Sequence, residues 1–418
     1  MVRDNNAVMG DTWGLETPLW FAPQGTQAKD DLSFHRSNDF EHVGREVKAV
    51  RECVGVTEIA NFAKYKITGT GAEDWLNHLM TNTMPKTNRI VLTPMLNYNG
   101  KLIGDFTIAK AADNVFYVWG SSGAQIYHMR WFEQHLPDDA SVSIHRFGQT
   151  MVGLSIAGPK SREVLLQLVD EPVDNDSLRF MDHRSIDVAG CPCLINRITY
   201  TGDLGYELWM EPTYERQIYL AIKSSGEQFN IVDFGMRALL SMRLEKNFPS
   251  WFAELRPIYG PYEGSMERFI RLEKNHFIGR EKAAEEFADG GKLKRVSFTI
   301  ETEHTDVMGD EPVWAKTSQD YQCIEPPHGY GASRFDANSN ETPKAMTQID
   351  GDWRVVGWVT SGGYGHFVAK SLAQGYIPAE LALQTRKGFF EIEILGKRCP
   401  AQLIEQPLFD PTGAKMRS

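Results

Sequence analysis

Residues 66–79, KITGTGAEDWLNHL, decide how this chain is interpreted, because residues 155–168, SIAGPKSREVLLQL, repeat their design. Before the first glycine, Tyr65 and Ile67 alternate with polar residues, which is typical of a half-buried strand. Glycines then turn the chain, and apolar residues follow at helical spacing. The second stretch has the same order of strand, Gly-Pro turn and helix. The recurrence predicts two related α+β lobes that pack together.

The last third of the chain has a different pattern. Residues 294–300, 353–361 and 389–396 are typical of strands, with almost no helical periodicity between them. This indicates an all-β domain, either a barrel or a jelly roll. We therefore predict an α+β protein divided into an N-terminal arm at 1–45, a first lobe at 46–150, a second lobe at 151–290 and an all-β domain at 291–418.

Composition excludes several classes of protein. The 418 residues carry a net charge of −11, which argues against a nucleic-acid-binding protein because phosphate contacts need clustered Lys and Arg. No apolar run approaches ~18 residues and no signal core is present, so we expect no membrane association. The histidines lack the spacing of a metal site. The odd number and scattered spacing of the cysteines predict reduced thiols in the cytoplasm at Cys53, Cys191, Cys193, Cys323 and Cys399.

Asp105 lies in the segment MLNYNGKLIGDFTI, where Asn99-Gly100 predicts a tight hairpin turn. Gly104 would let another chain or a ligand come close to the following strand. Asp105 could then orient an amine or accept a proton. An aspartate on a solvated strand gives the same local pattern, so spacing alone leaves both interpretations open.

Glu207 lies in the segment YTGDLGYELWM, which predicts the second strand of a hairpin. Alternation places Glu207 and Trp209 on one face of that strand and Tyr206 on the other. A carboxylate beside an indole suits a flat heterocycle that bears an amide, because the carboxylate accepts N–H groups from the ring edge. A glutamate that faces water on an edge strand is the alternative.

Arg237 lies near the start of a predicted amphipathic helix that ends near Leu244. It could bind a carboxylate tail or hold acidic side chains in place, or it could form an ordinary surface ion pair. The glycine-rich residues 360–377 are flanked by strand patterns rather than by the helix that a phosphate-binding loop needs. We find no pattern for an FAD or NAD site in this chain.

Taken in order, these motifs resemble the glycine cleavage T-protein (aminomethyltransferase) family from about residue 34 to residue 406. The opening of the chain, ETPLWFA followed by FHRSNDFEHVGREVKAVRECVGV, is similar to the folate-binding half of dimethylglycine and sarcosine dehydrogenases. The matching segments are KYKITGTGAEDWLNHLMTN, MLNYNGKLIGDFTI, LSIAGPKSREVL, YTGDLGYELWM, GMRALLSMRLEKNF, HFIGRE and VGWVTSGGYGHFVAKSLAQGYI.

The resemblance implies three domains, like a cloverleaf, around a central cavity for tetrahydrofolate. The family's catalytic aspartate falls on Asp105, its pterin-binding glutamate on Glu207 and its helix-borne arginine on Arg237. Tyr206 and Phe62 fall where side chains line the folate pocket. The departures include Asp203, where the family has glutamate, and Trp251-Phe252, where the family has an aromatic residue followed by glycine. Both positions border the expected entrance, so substrate choice stays open.

The resemblance implies a tetrahydrofolate-dependent one-carbon transferase that forms 5,10-methylenetetrahydrofolate from a methylamine-derived iminium. One alternative is a folate-dependent demethylase that takes a methyl group from a small methylated amine, sulfonium or ether and forms 5-methyltetrahydrofolate. Another is a non-catalytic folate-binding subunit of an oxidase. Because this chain contains no FAD domain like that of the dehydrogenases, either a separate flavin oxidase subunit supplies the carbon unit or the donor is used directly.

Overall fold

The structure, a computed structural model, describes residues 2–12, 14–317 and 349–418. Cys323, which we expect to be reduced, lies outside these residues, whereas Cys53, Cys191, Cys193 and Cys399 are free thiols. In the described part of the chain, every helix is too short or too polar to cross a lipid bilayer.

The N-terminal segment is a hairpin and a helix that pack against the second lobe. The hairpin packs through Trp20, which is buried with Val47 and Val50 of the helix and with Phe234. Val43, Val47 and Val50 of this helix are spaced four and three residues apart and therefore lie on one side of it. This spacing makes the helix amphipathic. The elements of this segment are β1 (Ala7–Thr12), β2 (Leu15–Phe21), α1 (Phe40–Glu52) and β3 (Gly55–Glu58).

The first lobe is an antiparallel sheet with two helices packed on one face. The lobe contains β4 (Ala63–Thr68), α2 (Ala72–Leu79), β5 (Arg89–Leu96), β6 (Leu102–Ala112), β7 (Val115–Gly120), α3 (Gln125–Gln134) and β8 (Ser143–Arg146). Its strand order is β5-β6-β7-β4-β8. The helices cover a core built around Leu76, Phe106 and Phe132.

The second lobe contains β9 (Val152–Ala157), α4 (Ser161–Leu165), β10 (His183–Val188), β11 (Cys191–Asn196), β12 (Gly205–Met210), α5 (Pro212–Gly226), β13 (Val232–Asp233) and α6 (Met236–Glu245). Its sheet has the order β10-β11-β12-β9-β3-β13. Strand β3 precedes the first lobe in sequence but pairs with β9 and β13, so the chain crosses between the lobes.

The repeated strand–turn–helix unit is present in both lobes. β4 leads through Gly69 to α2, and β9 leads through Gly158 to α4. The two glycines have nearly the same backbone angle, φ +120° and +121°, which favours glycine. A Cβ at Gly69 would lie 2.1 Å from the Ser141 carbonyl oxygen, and one at Gly158 would lie 2.4 Å from that of Val50. Both turns therefore require glycine for the same steric reason.

A helix, α7 (Arg280–Asp289), precedes the C-terminal domain. That domain contains β14 (Leu293–Ile300), β15 (Pro312–Lys316), β16 (Ile349–Asp350), β17 (Trp353–Gly365), β18 (Lys370–Pro378), β19 (Phe390–Ile394), β20 (Lys397–Leu403) and α8 (Ala414–Arg417). Six strands close a barrel in the order β15-β19-β20-β14-β18-β17, because β15 also pairs with β17. The predicted α+β fold with two lobes and a C-terminal β-barrel is confirmed; the exact domain boundaries stay predictions.

Aromatic residues join the barrel to the rest of the protein. The rings of Tyr259 and Tyr376 are stacked with centroids 3.7 Å apart, and Trp358 Nε1 donates a hydrogen bond to the Tyr259 hydroxyl at 3.2 Å. These residues share one buried cluster with Leu102 of the first lobe. The strand that carries Asp105 therefore begins next to the barrel.

Candidate functional site

Asp105 lies on β6, on the face of the sheet that meets the second lobe. Ala109, four residues further along the same face, belongs to a buried cluster between the two lobes. Gly104 and Phe106 point the other way, into the first lobe. A Cβ at Gly104 would lie 2.5 Å from the Phe106 ring and 3.0 Å from His128 Nε2. The groups that approach Gly104 are thus side chains of the lobe's own core, and Asp105 faces away from them.

Glu207 lies in the middle of a row of directly paired residues that crosses the second-lobe sheet. The row contains His183, Asn196, Glu207, Ser155 and Thr57 on β10, β11, β12, β9 and β3. Directly paired residues of antiparallel strands lie on the same face. His183 Nδ1 and Asn196 Oδ1 are 2.8 Å apart, so the amide oxygen of Asn196 is engaged and its Nδ2 is on the side of Glu207.

Two tryptophans bring the two faces together. Trp119 on β7 is paired with Thr107, which lies two residues from Asp105 on the same face of β6. Trp209 lies two residues from Glu207 on the same face of β12. The ring centroids of Trp119 and Trp209 are 5.6 Å apart. Glu207 therefore lies about 7 Å along β12 from Trp209. Asp105 lies about 7 Å along β6 from Thr107, the residue paired with Trp119.

Both carboxyl groups have pKa values near neutrality. Burial raises the pKa of Asp105 from 3.8 to about 6. Burial also raises the pKa of Glu207 from 4.5 to about 7, although Asn196 and Trp209 act to lower it. Each side chain keeps a partly accessible surface although protein surrounds it, as expected for a group in a recess. Perturbed carboxyl groups of this kind are typical of catalytic and binding sites.

Four buried polar atoms on these faces have no hydrogen-bond partner among the described residues. Three are donors, Trp119 Nε1, Trp209 Nε1 and Asn196 Nδ2, and the fourth, His183 Nε2, is an acceptor because Nδ1 donates to Asn196 Oδ1. A buried polar group without a partner costs about 1–3 kcal/mol of stability. Asn196 and Trp209 are close enough to Glu207 to affect its pKa, but neither is aligned for a hydrogen bond to it. A ligand with both N–H donors and acceptors would match Glu207 and these unpaired groups.

Tyr200, on the loop between β11 and β12, is within electrostatic range of Asp105. Its hydroxyl donates a hydrogen bond to the Pro249 carbonyl oxygen at 2.6 Å. Burial is the main cause that raises the pKa of Tyr200; Arg243 opposes it, and the charges of Glu254 and Asp105 add to it. Tyr200 is therefore a neutral phenol that connects the loop beside Glu207 to the surroundings of Asp105.

A buried ion pair of Arg243 and Glu254 supports this region. Arg243 Nη1 lies 3.0 Å from Glu254 Oε2, and Arg243 Nη2 donates to Ser361 Oγ at 2.8 Å. Burial alone would raise the pKa of Glu254, but Arg243 and the hydroxyls of Ser361 and Thr360 outweigh it and lower that pKa. Glu254 is thus a fixed anion that positions Arg243, rather than a proton donor.

Phe62 is close to the site and Tyr206 is not. The ring of Phe62 meets Trp209 edge-on at 6.0 Å between centroids. Tyr206 is fully buried in the core of the second lobe, and its hydroxyl accepts a hydrogen bond from Arg162 Nε at 3.2 Å. The pleat of β12 accounts for this, since neighbouring residues of a strand point to opposite faces. The expectation that Tyr206 lines the same pocket as Glu207 therefore needs correction.

Arg237 is turned toward the N-terminal segment. Its Nη1 and Nη2 bind the two carboxylate oxygens of Asp30 at 2.9 and 2.6 Å, and Nη1 also lies 2.8 Å from Asp39. Asp30 in addition accepts a hydrogen bond from Trp20 Nε1. The structure thus gives Arg237 a role in fastening the N-terminal segment. On the same helix, Arg243 is the arginine whose charge acts on Tyr200.

The sequence interpretation missed Trp119, Asn196 and Tyr200. Asn196 and Trp119 lie at the site because of the way their strands pair with neighbouring strands. A local sequence pattern does not specify that pairing. Tyr200 is the first residue of the segment YTGDLGYELWM that contains Glu207. That position was the one signal in the sequence that could have placed it near the site. Across residues 2–12, 14–317 and 349–418, no three His, Cys, Asp or Glu side chains are grouped to hold a metal ion.

Comparisons with known proteins agree with this architecture. The family model described as the GCVT N-terminal domain matches residues 1–274, and the glycine cleavage T-protein C-terminal barrel domain matches residues 294–410. Mitochondrial dimethylglycine dehydrogenase of Mus musculus is 31% identical over 98% of this chain and 43% of its own length. An aminomethyltransferase of Thermoanaerobacter sp. (strain X514) is 28% identical over 62% of this chain and 71% of its own.

The crystal structure of glycine cleavage system aminomethyltransferase T from Bartonella henselae has the same fold. Its TM-score is 0.76 at 18% sequence identity, with 98% of this chain and 96% of that chain covered. The chain spans less than half the length of the dimethylglycine dehydrogenase that it matches.

Proposed function

Because this chain belongs to the glycine cleavage T-protein family, we propose that it is a tetrahydrofolate-dependent one-carbon transferase. In this proposal it converts a methylamine-derived iminium to 5,10-methylenetetrahydrofolate. The main support for this proposal is a pair of half-buried carboxyl groups, Asp105 and Glu207. They lie on two sheet faces that Trp119 and Trp209 join.

The residues around Glu207 fit a reduced pterin. The ring edge of a pterin offers neighbouring N–H donors, and an ionised Glu207 accepts two of them. Asn196 Nδ2 and Trp209 Nε1, which have no hydrogen-bond partner among the residues that the structure describes, suit the acceptors of the same ring. Phe62 and Trp209 supply flat apolar surface beside it. We assign no contact with the ligand to Tyr206 or Arg237.

Bound tetrahydrofolate would supply the two nitrogen nucleophiles that accept the one-carbon unit, and the donor nitrogen would leave as a protonated amine once its bond to that carbon breaks. Asp105 is suited to two tasks. As an anion in a recess, it stabilises the positive charge of an iminium carbon donor, and that interaction is stronger where water is excluded. With a pKa of about 6, it also accepts the proton that a nitrogen nucleophile releases when the new C–N bond forms. The neutral Tyr200 adds no competing negative charge.

An N-methylated amine is the donor class that we favour. A relative that matches nearly the whole chain is named for dimethylglycine, whose N-methyl group is at the right oxidation level after dehydrogenation. That oxidation requires an electron acceptor, so the iminium would come from a flavin-dependent amine oxidase. The oxidase could be a separate subunit or another part of a longer polypeptide.

The test is a product analysis with the purified chain, tetrahydrofolate, dimethylglycine and a flavin-dependent amine oxidase. We expect 5,10-methylenetetrahydrofolate, measured by mass spectrometry, to form faster than with the oxidase alone. Asp105→Asn should remove the increase, and Asp113→Asn, at a side chain 94% exposed on the same lobe, should keep it. Formation of 5-methyltetrahydrofolate would indicate the demethylase instead, and equal rates with and without the chain would indicate a non-catalytic subunit.

A further inference from the structure

A cavity of about 740 Å³ is bordered by residues of both lobes, and six of its eleven lining residues are cationic. Neither Asp105 nor Glu207 lines it. Six cations and one carboxylate border the cavity, namely Lys86, Arg89, Arg179, Arg184, Arg197 and Arg417 against Asp182. The local excess of five positive charges contrasts with the net charge of −11 of the whole chain.

The one carboxylate cannot neutralise these cations. Asp182 is buried and pairs with Arg89, while Arg184 Nη2 and Arg179 Nε lie 3.7 and 4.0 Å from it. Three guanidinium groups therefore share one negative charge. The arrangement holds the arginines in fixed positions and leaves most of their charge available to a ligand.

Arg197 adds a donor that protein atoms do not satisfy. Its side chain is 1% exposed and is held by the carbonyl oxygens of Leu178, at 2.5 Å, and Ser418, at 2.6 Å. Its Nε has no hydrogen-bond partner in the described part of the chain. Buried guanidinium groups are normally paired, because an unpaired charged donor away from water is costly. Arg197 thus adds a held positive charge to the lining of the cavity.

Two exposed cations border the cavity, Lys86 and Arg179, and Arg179 is the most distant of the ion-pair partners of Asp182. Lys86 is exposed and forms no ion pair within the described part of the chain, and the side chain of Arg179 is 68% exposed. Buried or paired arginines together with exposed cations around one cavity favour an anion with several closely spaced charges over a monovalent one.

We propose that this cavity binds a small polyanion, with two or more phosphate or carboxylate groups. Two sources offer that chemistry. One is a free phosphate-bearing molecule. The other, which rests on the proposed function, is an oligo-γ-glutamate tail on tetrahydrofolate: Arg184 follows His183, and His183 lies two strand spacings, about 10 Å, from Glu207.

The cavity is tested first without folate, by calorimetric titration of the full chain with inorganic pyrophosphate. We expect saturable binding of one pyrophosphate that weakens as ionic strength rises. The double variant Lys86→Gln, Arg179→Gln should weaken binding about tenfold or more, as expected when two charged contacts are lost. Arg216→Gln, an exposed arginine outside the cavity, should leave it unchanged. Absence of pyrophosphate binding, or equal binding by the double variant, would overturn the proposal.

The second arm compares tetrahydrofolate with one glutamate and with three γ-linked glutamates. If the form with three glutamates binds more tightly than the form with one, and the double variant abolishes this difference in affinity, the tail is the ligand. Pyrophosphate binding with no effect of tail length would identify a free phosphate-bearing molecule. Because the pyrophosphate titration involves no folate, its result stands even if the proposed one-carbon transfer fails.

Discussion

The indole rings of Trp119 and Trp209 lie 5.6 Å apart between centroids, inclined by 33°, and they join the sheets of the two lobes. Both are almost completely buried, and neither Nε1 has a hydrogen-bond partner within residues 2–12, 14–317 and 349–418. Aromatic pairs at this distance contribute about 0.5–1.5 kcal/mol beyond the burial of their area. The pair therefore joins β12, which carries Glu207, to β7, the neighbour of the strand that carries Asp105.

The first prediction concerns this contact. In a double-mutant cycle with Trp119→Phe and Trp209→Phe, the two changes should be non-additive in the free energy of unfolding by about 0.5–1.5 kcal/mol. Chemical denaturation measures this energy. Trp131→Phe, on the far side of the first-lobe core, combined with Trp209→Phe serves as the control and should be additive. Additivity of the Trp119 and Trp209 changes would contradict the idea that this contact couples the lobes.

The second prediction concerns Asp105 and pH. Its folded-state pKa of about 6 exceeds the ordinary value of 3.8, so the folded chain binds more protons than the unfolded chain between about pH 4 and pH 6. The free energy of unfolding therefore falls as pH rises through this window. Asp105→Asn should consequently raise stability at pH 7 by an amount on the order of 2 kcal/mol, and should make little difference below about pH 4.

The same variant should reduce one-carbon transfer by about 10²–10⁴-fold, the usual loss when a general base is removed. Greater stability with lost activity is the signature of a group kept for function at a cost to the fold. Thermal denaturation at pH 4 and pH 7, with Asp113→Asn as the exposed control, measures the stability term. An Asn variant that is less stable than the wild type at pH 7 would show that Asp105 is a structural residue.

The third prediction separates Glu207 from Asp105. Glu207→Gln removes a charged acceptor, so it should weaken tetrahydrofolate binding about 10–100-fold, with a smaller effect on turnover at saturation. Glu211→Gln, an exposed residue just beyond the same strand, should leave binding unchanged. Affinity is measured by fluorescence quenching of the tryptophans. A large fall in turnover with unchanged affinity would instead place Glu207 in the chemical step.

The pH dependence of transfer follows from the same two groups. The burial-raised pKa values are about 6 for Asp105 and about 7 for Glu207, and both groups act as anions in the proposal. Activity at low substrate should therefore rise with pH through this range and level off above it. Because two carboxyl groups ionise on the acid side, Glu207→Gln should leave a single ionisation there. An activity that falls between pH 6 and pH 8 would exclude anionic roles for both.

Local sequence was sufficient for the strand–turn–helix units and for the faces of individual strands. Gly69 and Gly158 are turn signals that steric contacts with backbone carbonyls make obligatory. Alternation placed Glu207 and Trp209 on one face and Tyr206 on the other, as the structure has them. The interpretation went wrong where the resemblance placed Tyr206 in the pocket, although the pleat already pointed it into the core.

Register and long-range pairing were beyond local sequence. Strand β3 pairs with β9, about one hundred residues later, and four residues of pattern do not specify such a partner. Asn196 stands beside Glu207 only because β11 and β12 pair in one register. Arg237 looked like a ligand-binding arginine because its partners, Asp30 and Asp39, come from a segment about two hundred residues earlier.

The last prediction concerns Asp203, where the family resemblance leads one to expect glutamate. Asp203 is buried and accepts a hydrogen bond from Arg51, whose Nη2 also lies 2.8 Å from Glu245. The ring of Phe409 covers Arg51 at 3.6 Å. The cluster thus joins α1, the loop before β12 and α6, and it leaves no space for a longer side chain.

Asp203→Glu should therefore lower the free energy of unfolding by about 1–3 kcal/mol, the usual cost of an extra methylene in a closed site. Tetrahydrofolate affinity should be unchanged, because the carboxylate still faces Arg51. Arg51→Met should cost more, about 3–5 kcal/mol, since it leaves two buried carboxylates without a cation. Denaturation and folate titration of both variants decide the matter. If Asp203→Glu kept full stability but changed folate affinity, position 203 would belong to the ligand entrance and not to the framework beneath it.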